Sequence, residues 1–201
     1  MMNVLKITSS ARGQVSESTR LADNYITALR AVQPELKVVT RDLATDALPH
    51  IDGNVLGAFF TPAEQRTAEQ QALIARSDAL VAELQAADAI VLAVPMYNFG
   101  IPSTLKAYFD WIARAGVTFK YTPTGPVGLL ADKPVTVFAA RGGLYQGTPH
   151  DTQTGYLKDF LGFIGLKSVE FVYAEGLNMG DELRAKAEAE AASRIAELVA
   201  D

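Results

Sequence analysis

The sequence contains no cysteine among its 201 residues. Disulfides, iron–sulfur clusters, thiolate zinc sites and thiol redox chemistry are therefore excluded. Any oxidation–reduction chemistry must come from a bound cofactor. The chain also has only two histidines, His50 and His150, which argues against a dedicated transition-metal site, and we expect both to lie in surface loops.

The chain also lacks a block of concentrated positive charge. Its 18 Lys and Arg residues are spread along the sequence and are outnumbered by 23 Asp and Glu residues, which gives a net charge of −5. A nucleic-acid-binding protein usually concentrates Lys and Arg on one face to neutralise phosphates. We therefore expect no nucleic-acid partner.

Long apolar runs are a third absence. The longest run, residues 89–96, is interrupted by Pro95, whereas about 20 apolar residues are needed to cross a bilayer. The first residues show neither the basic region nor the cleavage site of a signal peptide. We expect no membrane partner and a cytoplasmic location.

What the sequence does contain is a regular alternation of strand-like and helix-like segments. Apolar runs of strand length predict buried parallel strands, and amphipathic segments predict the helices between them. The predicted strands are residues 4–8, 36–43, 89–94, 134–140 and 169–174. The predicted helices are residues 16–32, 61–85, 101–113, 151–165 and 181–200. Residues 44–60 and 116–131 are rich in proline and glycine and are predicted to be irregular.

This alternation predicts an α/β fold with helices on both sides of a parallel sheet. Five strands favour a flavodoxin-like three-layer sandwich whose five-stranded parallel sheet has the order 2-1-3-4-5. With no linker or repeat in view, residues 1–201 are predicted to form a single domain. Ligands bind such sheets outside the carboxyl ends of the strands, where the strand order reverses, here between the first and third strands.

Three loops of unusual composition converge on that point. The first, Ser9–Ser18, precedes a predicted helix, whose free N–H groups and dipole favour a phosphate. The hydroxyls of Ser10, Ser16 and Ser18 add donors, although a plain capped helix would explain the same residues. Because G-x-x-x-x-G-K-[ST] and G-x-G-x-x-G are both absent, the loop favours a single phosphate, as on FMN.

The second and third loops predict a site for a flat ring. In Pro95–Pro102, large apolar side chains at a strand end can form a wall, and Asn98 can hydrogen-bond ring-edge atoms. In the third loop, residues 141–150, the paired glycines at 142 and 143 allow a ligand to approach the backbone closely. Core packing of Met96 and Phe99, and a plain turn at the glycines, are the structural alternatives.

Five segments carry a family likeness. They are SES at 16–18, PMYNF at 95–99, RGG at 141–143, LGFIG at 161–165 and FVYAEG at 171–176. In order and spacing they resemble the FMN-dependent NADH-azoreductases of bacteria over essentially the whole chain. The chain is similar, more loosely, to the wider group of flavodoxin-like quinone reductases.

The resemblance implies bound FMN, NADH as electron donor, and a quinone or aromatic azo compound as acceptor, in a ping-pong reaction that needs no catalytic side chain. It also implies a homodimer with sites at the subunit interface. The implied cofactor-binding residues are Ser10, Ser16, Glu17, Ser18, Pro95, Met96, Tyr97, Asn98, Phe99, Ala140, Arg141, Gly142 and Gly143. The implied acceptor-pocket residues are Phe119 and Tyr121 from the facing subunit, Phe163, and Tyr145 at the rim.

Two positions depart from the pattern of many relatives, which have Gln in place of Glu17 and Ser in place of Ala140. A carboxylate beside a phosphate would repel it, so we expect the Glu17 side chain to point to solvent while its N–H binds the phosphate. Ala140 retains only backbone or apolar contacts.

Two other functions are compatible with the same fold. A non-enzymatic electron carrier of flavodoxin type would expose its flavin edge on an acidic surface, for which a net charge of −5 is modest. The other hypothesis is a binding module for a nucleotide or another phosphate-bearing ligand, because a fold alone does not determine function.

Overall fold

The computed structural model, which describes residues 2–200, has a five-stranded parallel sheet at its centre. Its strands are β1 (Asn3–Thr8), β2 (Lys37–Asp42), β3 (Ala89–Pro95), β6 (Val135–Ala140) and β7 (Val169–Ala174). Two short strands, β4 (Phe119–Thr122) and β5 (Gly125–Gly128), form a separate antiparallel hairpin. The sheet order β2-β1-β3-β6-β7 is 2-1-3-4-5 when only the strands of that sheet are counted, which confirms the predicted flavodoxin-like fold.

Helices cover both faces of the sheet. They are α1 (Glu17–Val32), α2 (Gly53–Phe60), α3 (Ala68–Ala86), α4 (Ser103–Ile112), α5 (Thr152–Ile164) and α6 (Asp181–Ala200). Buried side chains of α1 and α6 form one core with one face of the sheet, and those of α2 to α5 form a second core with the other face. Within residues 2–200, no helix has both the length and the apolar character that crossing a bilayer requires.

Strand β3 shows why this sheet can be recognised in the sequence. All of its residues are buried, because helices pack on both of its faces. Ile90 and Leu92 belong to one core, and Val91 and Ala93 belong to the other. A strand buried on both sides is a continuous apolar run rather than an alternating one.

The prediction of an irregular segment at residues 44–60 was wrong over its second half. Residues 53–60 form α2, whose first turn is capped by Asp52, since its carboxylate accepts hydrogen bonds from the N–H groups of Asn54 and Val55. The capping side chain satisfies donors that would otherwise be unpaired, and this outweighs the low helix propensity of the two glycines in α2.

The predicted start of the next helix was also wrong. Thr67 and Gln70 form a capping box, so α3 begins at Ala68 rather than at residue 61. The hydroxyl of Thr61 instead donates to the carbonyl of Gly57 at the end of α2. Thr61 is therefore the C-cap of α2, and Thr67 is the N-cap of α3.

Residues 116–131, predicted to be irregular, contain the β4–β5 hairpin. This hairpin and the residues just after it pack closely on the end of α5: a Cβ at Gly128 would lie 2.1 Å from the Gly165 nitrogen, and the Leu130 N–H donates to the Ile164 carbonyl at 3.0 Å. Gly165 follows with φ 112°, and a Cβ there would lie 2.4 Å from the Leu130 carbonyl oxygen. A residue with a side chain would therefore separate the hairpin from the helix.

Replacing Gly165 with Ala is expected to lower the free energy of unfolding by about 2–4 kcal/mol, because it combines left-handed strain with a backbone collision. Gly155→Ala in the exposed part of α5 is the matched control, since a Cβ there meets nothing within 4 Å. That control should be stabilising by about 0.5–1 kcal/mol. Urea unfolding measures both, and equal effects of the two substitutions would contradict the packing described.

Candidate functional site

A cleft lies at the carboxyl ends of β1, β3 and β6, where the three predicted loops meet. Its polar end, about 130 Å³, and its aromatic end, about 490 Å³, share Gly142 and Asn178. The polar end is lined by Ser10, Arg12, Ser16, Glu17, Pro95, Tyr97, Ala140, Arg141, Gly142, Leu177, Asn178 and Arg184. The aromatic end is lined by Met96, Asn98, Phe99, Gly142, Gly143, Tyr145 and Asn178.

The cleft brings together the residues that the resemblance implied as cofactor-binding, with one exception. Ser18 is fully buried and does not line the cleft, and its hydroxyl lies 3.1 Å from that of Ser16. Four lining residues were missed by the sequence analysis: Arg12, Leu177, Asn178 and Arg184. Leu177 and Asn178 follow the end of β7 at the same edge of the sheet. The rule that ligands bind outside the carboxyl ends of parallel strands could therefore have found them.

The polar end is built around the N-terminus of α1. Ser16 is its N-cap residue, yet the Ser16 side chain accepts no capping hydrogen bond. Within residues 2–200, the N–H groups of Glu17, Ser18 and Thr19 have no acceptor. Unpaired donors at the positive end of a helix dipole form an anion site, and their number suits the oxygens of one phosphate.

Tyr97 links the first loop to the second. Its hydroxyl lies 3.0 Å from the Ser10 Oγ and accepts a hydrogen bond from the Ala11 N–H at 3.1 Å. The Ser10 Oγ also accepts from the Arg12 N–H. These bonds fix the first loop against the second.

The Glu17 side chain does not point freely to solvent, which corrects the expectation from the sequence. Its carboxylate accepts hydrogen bonds from Arg20 Nε at 2.9 Å and from Arg184 Nη1 at 2.8 Å. Burial alone would raise the pKa of Glu17, but the hydrogen bonds from the two arginines outweigh burial and hold it below its ordinary value. Glu17 is therefore an ion-paired carboxylate at the polar end.

A tight turn forms one wall of the aromatic end. The N–H of Tyr97 donates to the Gly100 carbonyl at 3.0 Å, and the Gly100 N–H donates back at 2.9 Å. Between them, Asn98 has φ 49° and Phe99 has φ 66°. This is the pattern of a type I′ turn, which Asn tolerates and Phe does not, so Phe99 is strained.

The strained turn is held by its neighbours. The Thr152 hydroxyl donates to the Phe99 carbonyl, and the Phe99 ring packs edge-on against Tyr145 with centroids 5.6 Å apart. The N–H groups of Asn98 and Phe99 have no acceptor within residues 2–200. The turn thus presents unpaired donors beside an apolar wall.

The glycine loop forms the facing wall. A Cβ at Gly142 would lie 2.7 Å from the Asn178 side-chain nitrogen, and one at Gly143 would lie 2.8 Å from the Tyr145 ring, so a side chain at either position would displace a residue that lines the cleft. The carbonyls of both glycines accept hydrogen bonds from the chain after β7. Their N–H groups have no partner within residues 2–200 and remain available to a ligand.

Arg141 reaches the cleft only through its backbone. Its side chain is fully buried and donates to Gln153 Oε1 at 3.1 Å, and to Glu175 Oε1 and Asp151 Oδ1 at 2.9 Å each. Its guanidinium stacks on the Tyr173 ring at 4.9 Å. The buried charge is therefore fully paired, as burial requires.

The partners of Arg141 extend this network to both walls of the aromatic end. Gln153 donates through Nε2 to the Pro95 carbonyl at 3.1 Å. Glu175 accepts from the N–H groups of Tyr145 and Gln146. One guanidinium thus links the end of β3, the glycine loop and the start of α5.

The residues implied for the acceptor pocket divide into two places. Tyr145 lines the aromatic end. Phe119, Tyr121 and Phe163 form a separate aromatic cluster on the β4–β5 hairpin and α5, with the Phe119 ring 4.2 Å from that of Phe163. These three residues do not line the cleft of their own chain. Tyr121 is 74% exposed.

Both histidines are exposed and neither lines the cleft, although the His150 ring lies 6.0 Å from that of Phe99. Of the side chains lining the aromatic end, only that of Tyr145 carries an ionisable group. The arrangement offers backbone donors and apolar contacts rather than an acid–base pair.

Sequence comparison identifies relatives along nearly the whole chain. The flavodoxin-like fold family matches residues 2–199. The FMN-dependent NADH:quinone oxidoreductase 6 of Burkholderia lata is 59% identical over 196 residues, covering 98% of this chain and 99% of the relative. The FMN-dependent NADH:quinone oxidoreductase of Cellvibrio japonicus is 60% identical over 189 residues, covering 94% and 95%.

Solved structures agree. An azoreductase from Bacillus anthracis superposes with a TM-score of 0.90 at 29% identity, covering 99% of each chain. An FMN-dependent NADH-azoreductase from Bacillus anthracis in complex with FMN gives a TM-score of 0.87 at 29% identity, covering 99% of this chain and 100% of the other. These matches confirm the family resemblance drawn from the five sequence segments.

Replacing Arg141 with Met should lower the free energy of unfolding by about 3–5 kcal/mol, because it leaves buried carboxylates without their cation. Asp151 and Glu175 have side chains only 8% and 13% exposed. Lys106→Met is the matched control, since it breaks an exposed pair with Asp110 and should cost less than about 1 kcal/mol. Equal losses for the two variants in urea unfolding would contradict this account.

The same network has a pH signature. Burial alone would raise the pKa of Asp151, but hydrogen bonds from Arg141 and Thr154 outweigh burial and hold it below the ordinary value. Its stabilising contribution is therefore complete above the ordinary aspartate pKa and is lost as the pH falls through the lowered pKa of the folded state. As the pH falls through this lowered pKa of Asp151, the free energy of unfolding of the Arg141→Met variant should therefore decrease less than that of the wild-type chain.

Proposed function

Since the chain belongs to the flavodoxin-like fold family and, within it, to the FMN-dependent NADH:quinone oxidoreductases, we propose that it is an enzyme that binds FMN and transfers electrons from NADH to quinones and aromatic azo compounds. The observation that carries the proposal is the cleft, whose two ends both present unpaired backbone N–H groups. These donors suit a ligand with a phosphate at one end and a polar-edged flat ring at the other.

The residues present fit FMN. At the polar end, the N–H groups of residues 17–19 and the hydroxyls of Ser10 and Ser16 would hold the phosphate, and Arg12 adds a positive charge. At the aromatic end, Met96 and Phe99 would contact the ring, and the unpaired N–H groups on both walls would bind its polar edge. The absence of side chains at Gly142 and Gly143 leaves room for that approach.

When bound, FMN supplies the redox chemistry, namely acceptance of a hydride from the reduced nicotinamide and its delivery to the acceptor. This chain would position the FMN and would stabilise the charge that develops on its ring. Fixed N–H groups at Asn98, Phe99, Gly142 and Gly143 would stabilise negative charge on the ring edge, because they need no reorganisation when the charge develops. No acid–base side chain is required, in keeping with the lining of the aromatic end.

Donor and acceptor would use the aromatic end in turn, which makes the kinetics ping-pong. A quinone takes two electrons and two protons and becomes a hydroquinone, so it consumes one NADH. Cleavage of an azo bond to two amines takes four electrons and four protons, so it consumes two NADH. These stoichiometries separate the two acceptor classes in a single assay.

The proposal predicts that the purified chain, incubated with FMN and desalted, retains a flavin absorption spectrum that NADH bleaches under anaerobic conditions. Adding a benzoquinone should restore the spectrum, and initial rates at several quinone concentrations should give parallel double-reciprocal lines. An azo dye should disappear with two NADH consumed per molecule. A chain that retains no FMN contradicts the proposal, whereas retained FMN without NADH-driven turnover would favour the electron carrier.

We further propose that the chain forms a homodimer in which Phe119 and Tyr121 face the aromatic end of the partner subunit's cleft. Two observations support this arrangement. The aromatic cluster on the hairpin lies outside the cleft of its own chain, and the hairpin and the residue that follows it expose apolar side chains at Tyr121, Val127 and Leu129. Exposed apolar side chains grouped on one element are typical of an interface.

Sedimentation should therefore give a dimer, and Tyr121→Ala should raise the KM for a quinone several-fold while FMN affinity is unchanged, because the ring of Tyr121 would contact only the acceptor. Val32→Ala is the control, since Val32 is 57% exposed at the opposite end of α1 from the cleft. A stable monomer with full quinone reductase activity would refute the interface site.

A further inference from the structure

Arg184 belongs to α6, yet its guanidinium lies at the polar end of the cleft. Its Nη1 donates to Glu17 Oε1, and its Nη2 donates to the Leu177 carbonyl, each at 2.8 Å. Glu17 and Leu177 also line the polar end. The guanidinium is therefore fixed between the N-terminus of α1 and the loop that follows β7.

The position of Glu17 poses an electrostatic problem. It is the first residue of the helix whose unpaired N–H groups would receive the phosphate, so its carboxylate lies beside a ligand of the same charge. Like charges a few ångströms apart near a protein surface repel each other. Unless it is compensated, a carboxylate here would weaken phosphate binding.

The neighbouring charges show which residue compensates. Arg20 contacts Glu17 but also donates to Glu188 at 2.9 Å, so its single positive charge is shared between two carboxylates. Without Arg184, the group of Arg20, Glu17 and Glu188 would carry a net charge of −1. With Arg184, the same group is neutral.

We propose that Arg184 is the counter-ion that allows Glu17 to stand at the phosphate end of the cleft, so that preference for FMN over the phosphate-free flavin depends on this ion pair. The inference rests on the proposed FMN binding. Arg184 acts through Glu17 rather than as a ligand in this proposal, since its two observed hydrogen bonds go to Glu17 and to the Leu177 carbonyl. It is thus a positioning residue for affinity, and its effect should be confined to the phosphate.

The test measures the Kd of the apo-protein for FMN and for riboflavin, which lacks the phosphate, by titration calorimetry. Arg184→Met should weaken FMN binding about tenfold and leave riboflavin binding unchanged, because only the phosphate meets the exposed charge of Glu17. Glu17→Gln should bind FMN at least as tightly as the wild-type chain. The double variant, in which both charges are gone, should return to within about threefold of the wild-type Kd.

Arg194→Met is the matched control. Arg194 lies on the same helix with a similarly exposed side chain, but its ion pairs are with Glu170 and Glu197 and it does not line the cleft. This variant should bind both flavins as the wild-type chain does. The thermal unfolding midpoint of each variant shows whether it folds. Glu17→Gln tests the inference without changing Arg184.

Three outcomes would overturn the inference while leaving FMN binding in place. They are an unchanged FMN Kd in Arg184→Met, equal weakening of FMN and riboflavin, and a double variant as weak as Arg184→Met alone, which would mean that Arg184 contacts the phosphate directly. A wild-type chain that binds neither flavin would overturn the proposed function, and the inference with it.

Discussion

The buried guanidinium of Arg141 is the constraint on which the candidate site depends. A fully buried cation must be paired, and here the pairing groups come from Asp151 at the start of α5 and from Glu175 after β7. Through Gln153 and Glu175 the same network reaches the Pro95 carbonyl and the backbone of Tyr145. The two walls of the aromatic end are therefore linked to one buried charge.

This arrangement leaves a particular set of backbone donors unpaired. The carbonyls of Gly142 and Gly143 accept hydrogen bonds from the segment after β7, and those of Tyr97 and Gly100 accept from each other's N–H groups. The N–H groups of Asn98, Phe99, Gly142 and Gly143 have no such partner within residues 2–200. At the N-terminus of α1 the absence of a side-chain cap has the same result. Backbone N–H groups are costly to leave unsatisfied away from water, so such a concentration of them favours an acceptor-rich ligand.

Much of this could be predicted from the sequence, because a parallel sheet places every strand end at one edge. Buried runs such as residues 89–94 have the apolar composition that burial on two faces imposes. The loops after β1, β3 and β6 could therefore be assigned to one site without coordinates. The helix at residues 53–60 and the β4–β5 hairpin were missed, because their glycine and proline content is typical of loops and their stability comes from capping and packing.

The sequence by itself determined the fold class, the strand order and which loops meet, since these follow from hydrophobic periodicity and the topology of parallel strands. The tertiary structure alone decided the roles of individual side chains. Arg141 turns inward, Glu17 is ion-paired, and Arg184 reaches the cleft from a helix 167 residues further along the chain than its partner. Such long-range ion pairs depend on how helices pack, and no local pattern in the sequence encodes that packing.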